Sequence, residues 1–344
     1  MSRTGTAIGV AMALAGTAIA VEADTRRAER KHPPIGEFIE AGGVRLHYLR
    51  RGRGDPTVVF LHGNGAMVED FASSGLLDMV ASTHRVVAFD RPGFGHSRRP
   101  RGRAWTAQEQ AQVILQAMSH LGIERPIVVG HSWGTLVALA MALDHPDRIS
   151  GLVLLSGYYY PTARLDVVIA SPPAIPILGD VMRHTISPIL GTMLTPLLIR
   201  KLFRPAPVSR RFQNGFPTSL VNRPSQIRAS AEDTALMVPT AAALARRYRD
   251  LRLPVTIIAG AGDRMVDHRR HALRLHREVP HSNILVLQGE GHMIHHGAAG
   301  LVAAAVNTIS KQGKQVEAAT GEAPEPIDVP QATREVLEPD SRGG

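Results

Sequence analysis

Ser132 sits at the centre of Gly130-His131-Ser132-Trp133-Gly134, a G-x-S-x-G pentapeptide that follows the apolar run Ile127 to Val129 and precedes a helix-like stretch from Thr135 to Leu143. A chain that turns from strand to helix within one or two residues strains the central residue and crowds its neighbours. Small residues are therefore needed two before and two after it, and the serine hydroxyl stands at the tip of the turn. That hydroxyl is a poor nucleophile at neutral pH, so chemistry at Ser132 requires a base to take its proton and a third group to hold the base in one tautomer. Both types occur later in the chain. Gly260-Ala261-Gly262-Asp263 follows the strand-like run Val255 to Ala259, and Gly289-Glu290-Gly291-His292 follows Ile284 to Gln288. Each ionisable group falls at the carboxyl end of a strand, the edge where open α/β sheets place their ligands. Asp263 has a rival in Asp267, with Asp263 then only a helix cap; the position after strand and glycine favours Asp263. His292 has rivals in His295 and His296 at the start of the next helix, and its place directly after Gly291 in the loop favours it.

The elements that must position these residues are legible from hydrophobic patterning. Ile35 to Ile39 and Val44 to Leu49 flank Ala41-Gly42-Gly43 and read as an antiparallel hairpin. Strands at Thr57 to Leu61, Arg85 to Asp90, Ile127 to Val129 and Gly151 to Leu155 alternate with helices near Val68 to Ala81, Thr106 to Gly122 and after Ser132. Strands apolar on both faces, alternating with helices, predict a mostly parallel sheet flanked by helices. The alternation stops between residues 157 and 250 and resumes at Pro254. So long a gap is read as an inserted helical lid, since ordinary connections span only a few residues. The aliphatic residues between Val167 and Phe203 are read as the lid's own core in preference to a binding wall, with one lid face still required to front the pocket, and are punctuated by Pro172, Pro173, Pro176, Pro188 and Pro196. A helix near Asp267 to Glu278, a strand from Asn283 to Gln288 and a helix from Ile294 to Ser310 complete the core, which spans residues 35–156 and 251–310. Residues 311–344 lack periodicity and are rich in Glu, Pro, Gly and Ala, which predicts a disordered tail.

Together these motifs resemble the α/β-hydrolase fold family, and in particular its lid-bearing, serine esterase-like members. The resemblance covers residues 35 to 310: the paired antiparallel strands, His62-Gly63-Asn64, the turn from Asp90 to Ser97, the serine turn, the lid, and the acid and histidine loops. It implies Ser132 as nucleophile, His292 as general base and then acid, and Asp263 as the group orienting His292. It also implies an oxyanion hole formed by the backbone N–H groups of Asn64 and Trp133. The related dehalogenases and epoxide hydrolases need an aspartate at position 132, so the serine speaks against both. The expected reaction is acyl transfer on an ester-like small molecule, lipophilic if the lid's composition reflects its substrate, with no cofactor. Carbon-carbon bond hydrolysis, perhydrolysis, a proline-iminopeptidase-like activity and a non-catalytic scaffold stand as alternatives. Tyr158 and Tyr159, in the run Tyr158 to Tyr160 beyond a strand end, are candidates to line the substrate pocket, with aromatic packing as the other reading. His62 and His131 are read as structural.

Composition limits the remaining possibilities. With 344 residues and 44% hydrophobic content the chain can bury a large core, and the absence of cysteine excludes disulfides and thiolate chemistry. The net charge of +9 comes from scattered basic residues without a nucleic-acid-binding motif, so no nucleic-acid partner is expected. No metal site is expected either: His295 and His296 are adjacent, and adjacent residues point apart on a helix. Gly63-Asn64-Gly65 lacks the third glycine and the acidic residue of a dinucleotide site. Residues 1–21 hold an apolar run, Thr6 to Val21, which ends near Ala18-Ile19-Ala20 with small-x-small spacing. It reads as a cleaved signal or a retained membrane anchor, and so predicts a cell-envelope location. Charges on both sides leave a cytoplasmic orientation open. Nothing in the pattern fixes an oligomeric state.

Overall fold

The structure, a computed structural model, describes residues 3–163 and 165–318. The chain runs α1 (Arg3–Lys31), β1 (Glu37–Ala41), β2 (Val44–Arg51), β3 (Val58–Leu61), α2 (Val68–Ser74), α3 (Leu76–Ala81), β4 (Val86–Phe89), α4 (Ala107–His120), β5 (Ile127–His131), α5 (Trp133–Asp144) and β6 (Gly151–Leu155). A helical insertion follows, made of α6 (Leu165–Ala170), α7 (Leu178–His184), α8 (Ile186–Phe203), α9 (Arg210–Gly215), α10 (Thr218–Val221) and α11 (Pro224–Ala245). The core then closes with β7 (Val255–Gly260), α12 (Ala272–Glu278), β8 (Asn283–Leu287), α13 (Ile294–Gly297) and α14 (Ala299–Ala318).

The eight strands form one sheet in the order β1-β2-β4-β3-β5-β6-β7-β8. The hairpin β1–β2 and the β2–β4 pair are antiparallel, and the other pairs are parallel. Gly42 and Gly43 turn the hairpin with φ of 56° and 73°, a backbone that residues without a Cβ adopt at no steric cost. Period-two alternation sends Val59, Leu61, Val128, Leu152 and Ile257 into a core shared with α4 and α5. Val58, Phe60, Val129, Val153 and Ile258 face the opposite core, with α2, α3 and α14. The sheet is thus covered on both faces, as strands apolar on both sides require.

Several boundaries differ from the sequence expectation. The helix expected over Val68 to Ala81 is broken at Gly75, whose φ of 81° is left-handed. The helix expected from Asp267 begins only at Ala272, because the Asp267 carboxylate accepts the N–H groups of Arg269 and Arg270 and closes a turn there. The helix expected from Ile294 to Ser310 is split into α13 and α14, and α14 continues to Ala318, so residues 311–318 are helical rather than part of a disordered tail. The rest of that expected tail, 319–344, lies outside the described residues. At the other end α1 continues beyond the apolar run to Lys31. Its last turns dock on the domain through Ala28, packed with Met67 and Leu220, and through an ion pair of 2.9 Å between Glu29 and Arg223.

The insertion departs most from expectation. The aliphatic side chains of α8 are not its core: Met193 is 69% exposed, Leu197 60% and Leu194 56%. Among the described residues α8 packs mainly on α7 and touches α11, so most of its apolar side chains have no internal destination. The prolines do not end α8 either. Pro188 falls in the first turn, where a missing N–H costs little, and Pro196 is accommodated inside the helix.

Candidate active site

β5 delivers His131 and Ser132 to the carboxyl edge of the sheet, and α5 starts at the next residue. Ser132 has φ 51° and ψ −118°, a strained backbone for a residue with a side chain. The flanking glycines are explained by contact. A Cβ on Gly130 would lie 2.8 Å from the Gly134 carbonyl oxygen and the Thr135 Cα, and one on Gly134 would collide with the carbonyls of Leu61 and His62. The turn therefore packs against the chain leaving β3, and Gly63 lies beside it, with its Cβ direction 3.0 Å from the Ser132 Cβ.

Asp263 and His292 meet at this edge. His292 Nδ1 donates to Asp263 Oδ2 at 2.7 Å, and both side chains are almost wholly buried. The second carboxylate oxygen of Asp263 accepts the N–H groups of Met265 and Val266 at 2.7 and 3.0 Å, which fixes its rotamer. With Nδ1–H committed, a neutral His292 imidazole presents a bare Nε2, the form a general base needs. The residue before the serine locks the two halves together: His131 Nε2 donates to the His292 carbonyl at 3.0 Å. From the other side, the His292 N–H donates to the carbonyl of Leu202, at the end of α8, at 2.9 Å. Of the rival acids and bases, Asp267 is occupied in its own turn, while His295 and His296 turn to Asp70.

The Asn64 side chain is fully engaged with α11: its amide donates to Ser230 O and Thr234 Oγ1, and its carbonyl accepts from Ser230 Oγ. These contacts commit its side chain, so any oxyanion contact from Asn64 falls to its backbone N–H. Trp133 is the first residue of α5, where helical geometry provides no acceptor for its N–H. Its indole N–H donates to the carbonyl of Asp233 on α11 at 2.8 Å.

Patterning gave no sign of what holds this loop. Arg91, wholly buried, donates from Nε to His62 O, from Nη2 to Gly63 O, and from Nη1 to Gln110 and to Asp233 Oδ2 at 2.6 Å. One guanidinium thus ties the Asn64 loop to α4 and to the insertion. Its backbone N–H donates to His62 Nε2, so the His62 proton is on Nδ1, which donates to Gly63 O. Burial, helped by the Arg91 charge, pushes the His62 pKa down to about 4 and keeps it neutral. Burial, followed by the neighbouring His295 and His292, holds His131 well below the usual range. The contacts of both are internal to the site's framework, His62 with Gly63 and Arg91 and His131 with the His292 carbonyl. Arg91 was visible in the turn after β4, but Gln110 and Asp233 carry no sequence signal, since their roles come from being 19 and 142 positions away from it.

Tyr158 and Tyr159 are buried in the main core, together with Tyr160. Tyr158 stacks near His271 with ring centroids 4.6 Å apart, and the Tyr159 carbonyl accepts the Tyr248 hydroxyl at 2.8 Å. Aromatic packing, rather than a pocket wall, is the role these contacts describe.

The expectation that His295 and His296 point apart is corrected. His296 Nε2 hydrogen-bonds Asp70 Oδ1 at 2.9 Å, and His295 Nε2 lies 3.1 Å from Asp70 Oδ2. The break between α13 and α14 confines the two histidines to a single short turn, and α2 brings Asp70 to both. The three ligand atoms lie within 4.8 Å of one another. Burial alone would raise the Asp70 pKa, but His295 and the contacts from both imidazoles outweigh it and hold the carboxylate ionised. The cluster adjoins the site, since the His295 and His131 rings are 4.5 Å apart.

A family model described as alpha/beta hydrolase fold matches residues 56–299. Over 120 residues the chain is 38% identical to the dihydrolipoyllysine-residue acetyltransferase component of the acetoin cleaving system of Cupriavidus necator, covering 35% of this chain and 31% of that protein. Over 266 residues it is 28% identical to 2-hydroxy-6-oxo-2,4-heptadienoate hydrolase of Pseudomonas putida, covering 76% of this chain and 90% of that protein. Among solved structures, a thermophilic esterase from Thermogutta terrifontis superposes with a TM-score of 0.65 at 19% identity, covering 81% of this chain and 99% of that one. The chain thus spans about a third of the first of these relatives and most of the second.

Proposed function

The chain belongs to the α/β-hydrolase fold family, and from that premise we propose that it is a serine hydrolase that cleaves an ester-like bond of a lipophilic small molecule. Ser132 attacks the carbonyl and passes its proton to His292 Nε2. Asp263 holds the imidazole and stabilises its charge. The N–H groups of Asn64 and Trp133 receive the oxyanion, the leaving alcohol takes the proton from His292, and His292 then activates water to release the acid. The observation that carries this reading is the His292–Asp263 bond of 2.7 Å, on a loop joined through the His292 carbonyl to the residue preceding Ser132. In this reading the insertion serves as a lid, with α11 over the site.

A fluorophosphonate probe tests the nucleophile. Native protein should be labelled and Ser132→Ala should not, with turnover falling by about 10⁶-fold; a native protein that resists the probe overturns the proposal. Likeness to the heptadienoate hydrolase across most of both chains supports a second reading, cleavage of a carbon-carbon bond beside a ketone. A panel of medium-chain esters and vinylogous diketones separates the two, since the nucleophile is common to both and only the preferred substrate differs.

The apolar half of α1 supports a place at a membrane, because α1 is long and apolar enough to cross one. Intact mass from a native-like host distinguishes a retained anchor from a signal removed near Ala20.

A further inference from the structure

We propose that the outer face of α6 to α8 is a docking surface for an anionic phospholipid bilayer, seated beside α1. This extends the anchoring role of α1 and is independent of the reaction at Ser132. A helix apolar on every side belongs inside a protein or in lipid, and α8 is not inside: Ile186, Ile189, Leu190, Met193, Leu194 and Leu197 are all about half exposed or more. Leu165, Val168 and Ile169 of α6 and Leu178 of α7 add to the exposed apolar surface of the insertion. So large an apolar surface marks an interaction site.

Two observations choose the occupant. The first is continuity. A cleft of about 910 Å³ separates α1 from α8, lined by Val21, Ala28 and Lys31 on one side and Pro188, Ile189 and Ile199 on the other. A bilayer that takes up the apolar run ending at Val21 therefore meets α8 next. The second is charge. Between Val181 and Ala231, Arg183, Arg223 and Arg228 are ion-paired with Asp180, Glu29 and Glu232, which leaves Arg200, Lys201, Arg204, Arg210 and Arg211 exposed, while Asp24 is the acidic residue lining the cleft. Arg200, Lys201 and Arg204 sit at the end of α8, and Arg27 and Lys31 sit across the cleft. A basic rim around an aliphatic face fits anionic headgroups over acyl chains. α8 lies in the interface rather than crossing it, because its carboxyl end is held in the domain. Phe203 packs with Phe212 and Met293, and the Leu202 carbonyl holds the His292 N–H.

The absence of cysteine makes a site-specific test direct. Leu194→Cys, Ile8→Cys and Glu124→Cys, in the full chain, each carry an environment-sensitive fluorophore. Each is mixed with vesicles of phosphatidylcholine and phosphatidylglycerol containing spin-labelled lipid. An interfacial helix buries its apolar face by about 5–10 Å, so the Leu194 probe should be quenched at least about twofold. The Glu124 probe, at the opposite edge of the sheet, should be unaffected. Quenching at Ile8 without quenching at Leu194 overturns the docking of α8 and leaves the anchoring by α1 standing. No quenching at either overturns both. Equal quenching on pure phosphatidylcholine overturns the anionic preference. A Leu194 response that follows protein concentration without vesicles assigns the face to a second copy of the chain, and also overturns the proposal.

Discussion

α5 and α8 are alike in composition and opposite in surroundings. Both are apolar on every side, yet residues 133 to 143 of α5 are all buried, whereas in α8 only Pro188 and Phe203 are. The difference lies in what each is packed between. α5 runs back along a sheet face with α4 beside it and the end of α11 above, so each of its sides meets protein. α8 meets protein mainly along one edge, on α7, and at its carboxyl end. Both helices nevertheless end at the same place: α5 begins beside Ser132, and α8 ends on the carbonyl that holds the His292 N–H. An apolar sequence therefore reports that a helix avoids water, and only topology decides whether protein or something else replaces it.

The sharpest way to break this contrast is to place the same charge in both helices. Leu139→Asp buries an unpaired carboxylate and should cost more than about 4 kcal/mol, seen as loss of soluble, cooperatively unfolding protein. Asp233→Ala tests whether α11 belongs with the buried group. It leaves the wholly buried Arg91 without its carboxylate, so a loss of about 3–5 kcal/mol in denaturant unfolding is expected, together with lower turnover as the Asn64 loop loosens.

A natural measure of the same penalty is Glu69 on α2, whose pKa is pushed up to about 7 by burial and by Asp90. Because the folded protein binds this proton more tightly than the unfolded chain, its contribution to stability is full below pH 4.5 and is lost as pH rises through about 7. Glu69→Gln should remove that slope and leave the variant more stable than the parent by about 3 kcal/mol above pH 7, measured as unfolding free energy against pH. The smallest effect should come from Leu194→Asp on α8, within about 0.5 kcal/mol of the parent in the absence of lipid. A large loss there would show that α8 is packed after all.

The same contrast explains how much could be read beforehand. The central strands β3 to β7 were legible because each is apolar on both faces, and the hairpin β1–β2 because its two runs flank Gly42-Gly43. The Ser132, Asp263 and His292 loops were legible because each follows such a strand. Asp263 was favoured over Asp267 by its place after strand and glycine, and the structure adds the reason, since one carboxylate faces His292 while the other closes its own turn. The exposure of α8 was not legible, because hydrophobicity is the same in a core helix and an uncovered one. Nor were the Arg91 contacts and the Asp70, His295 and His296 cluster, which join residues far apart in the chain and leave no periodic trace.

The Arg91 guanidinium divides the insertion into a fixed part and a free part. α11 is bolted to the loop that would hold the oxyanion, through Asp233 and through the Asn64 contacts with Ser230 and Thr234. Exchange of α11 between homologous enzymes would dismantle the site along with it. α6 to α8 are held differently, by the Arg101–Asp180 ion pair at α7 and by the Leu202 carbonyl at the end of α8, so the stretch before Leu202 is where evolution, or an engineer seeking a new specificity, can rewrite the insertion with the Arg91 and Asn64 contacts left in place.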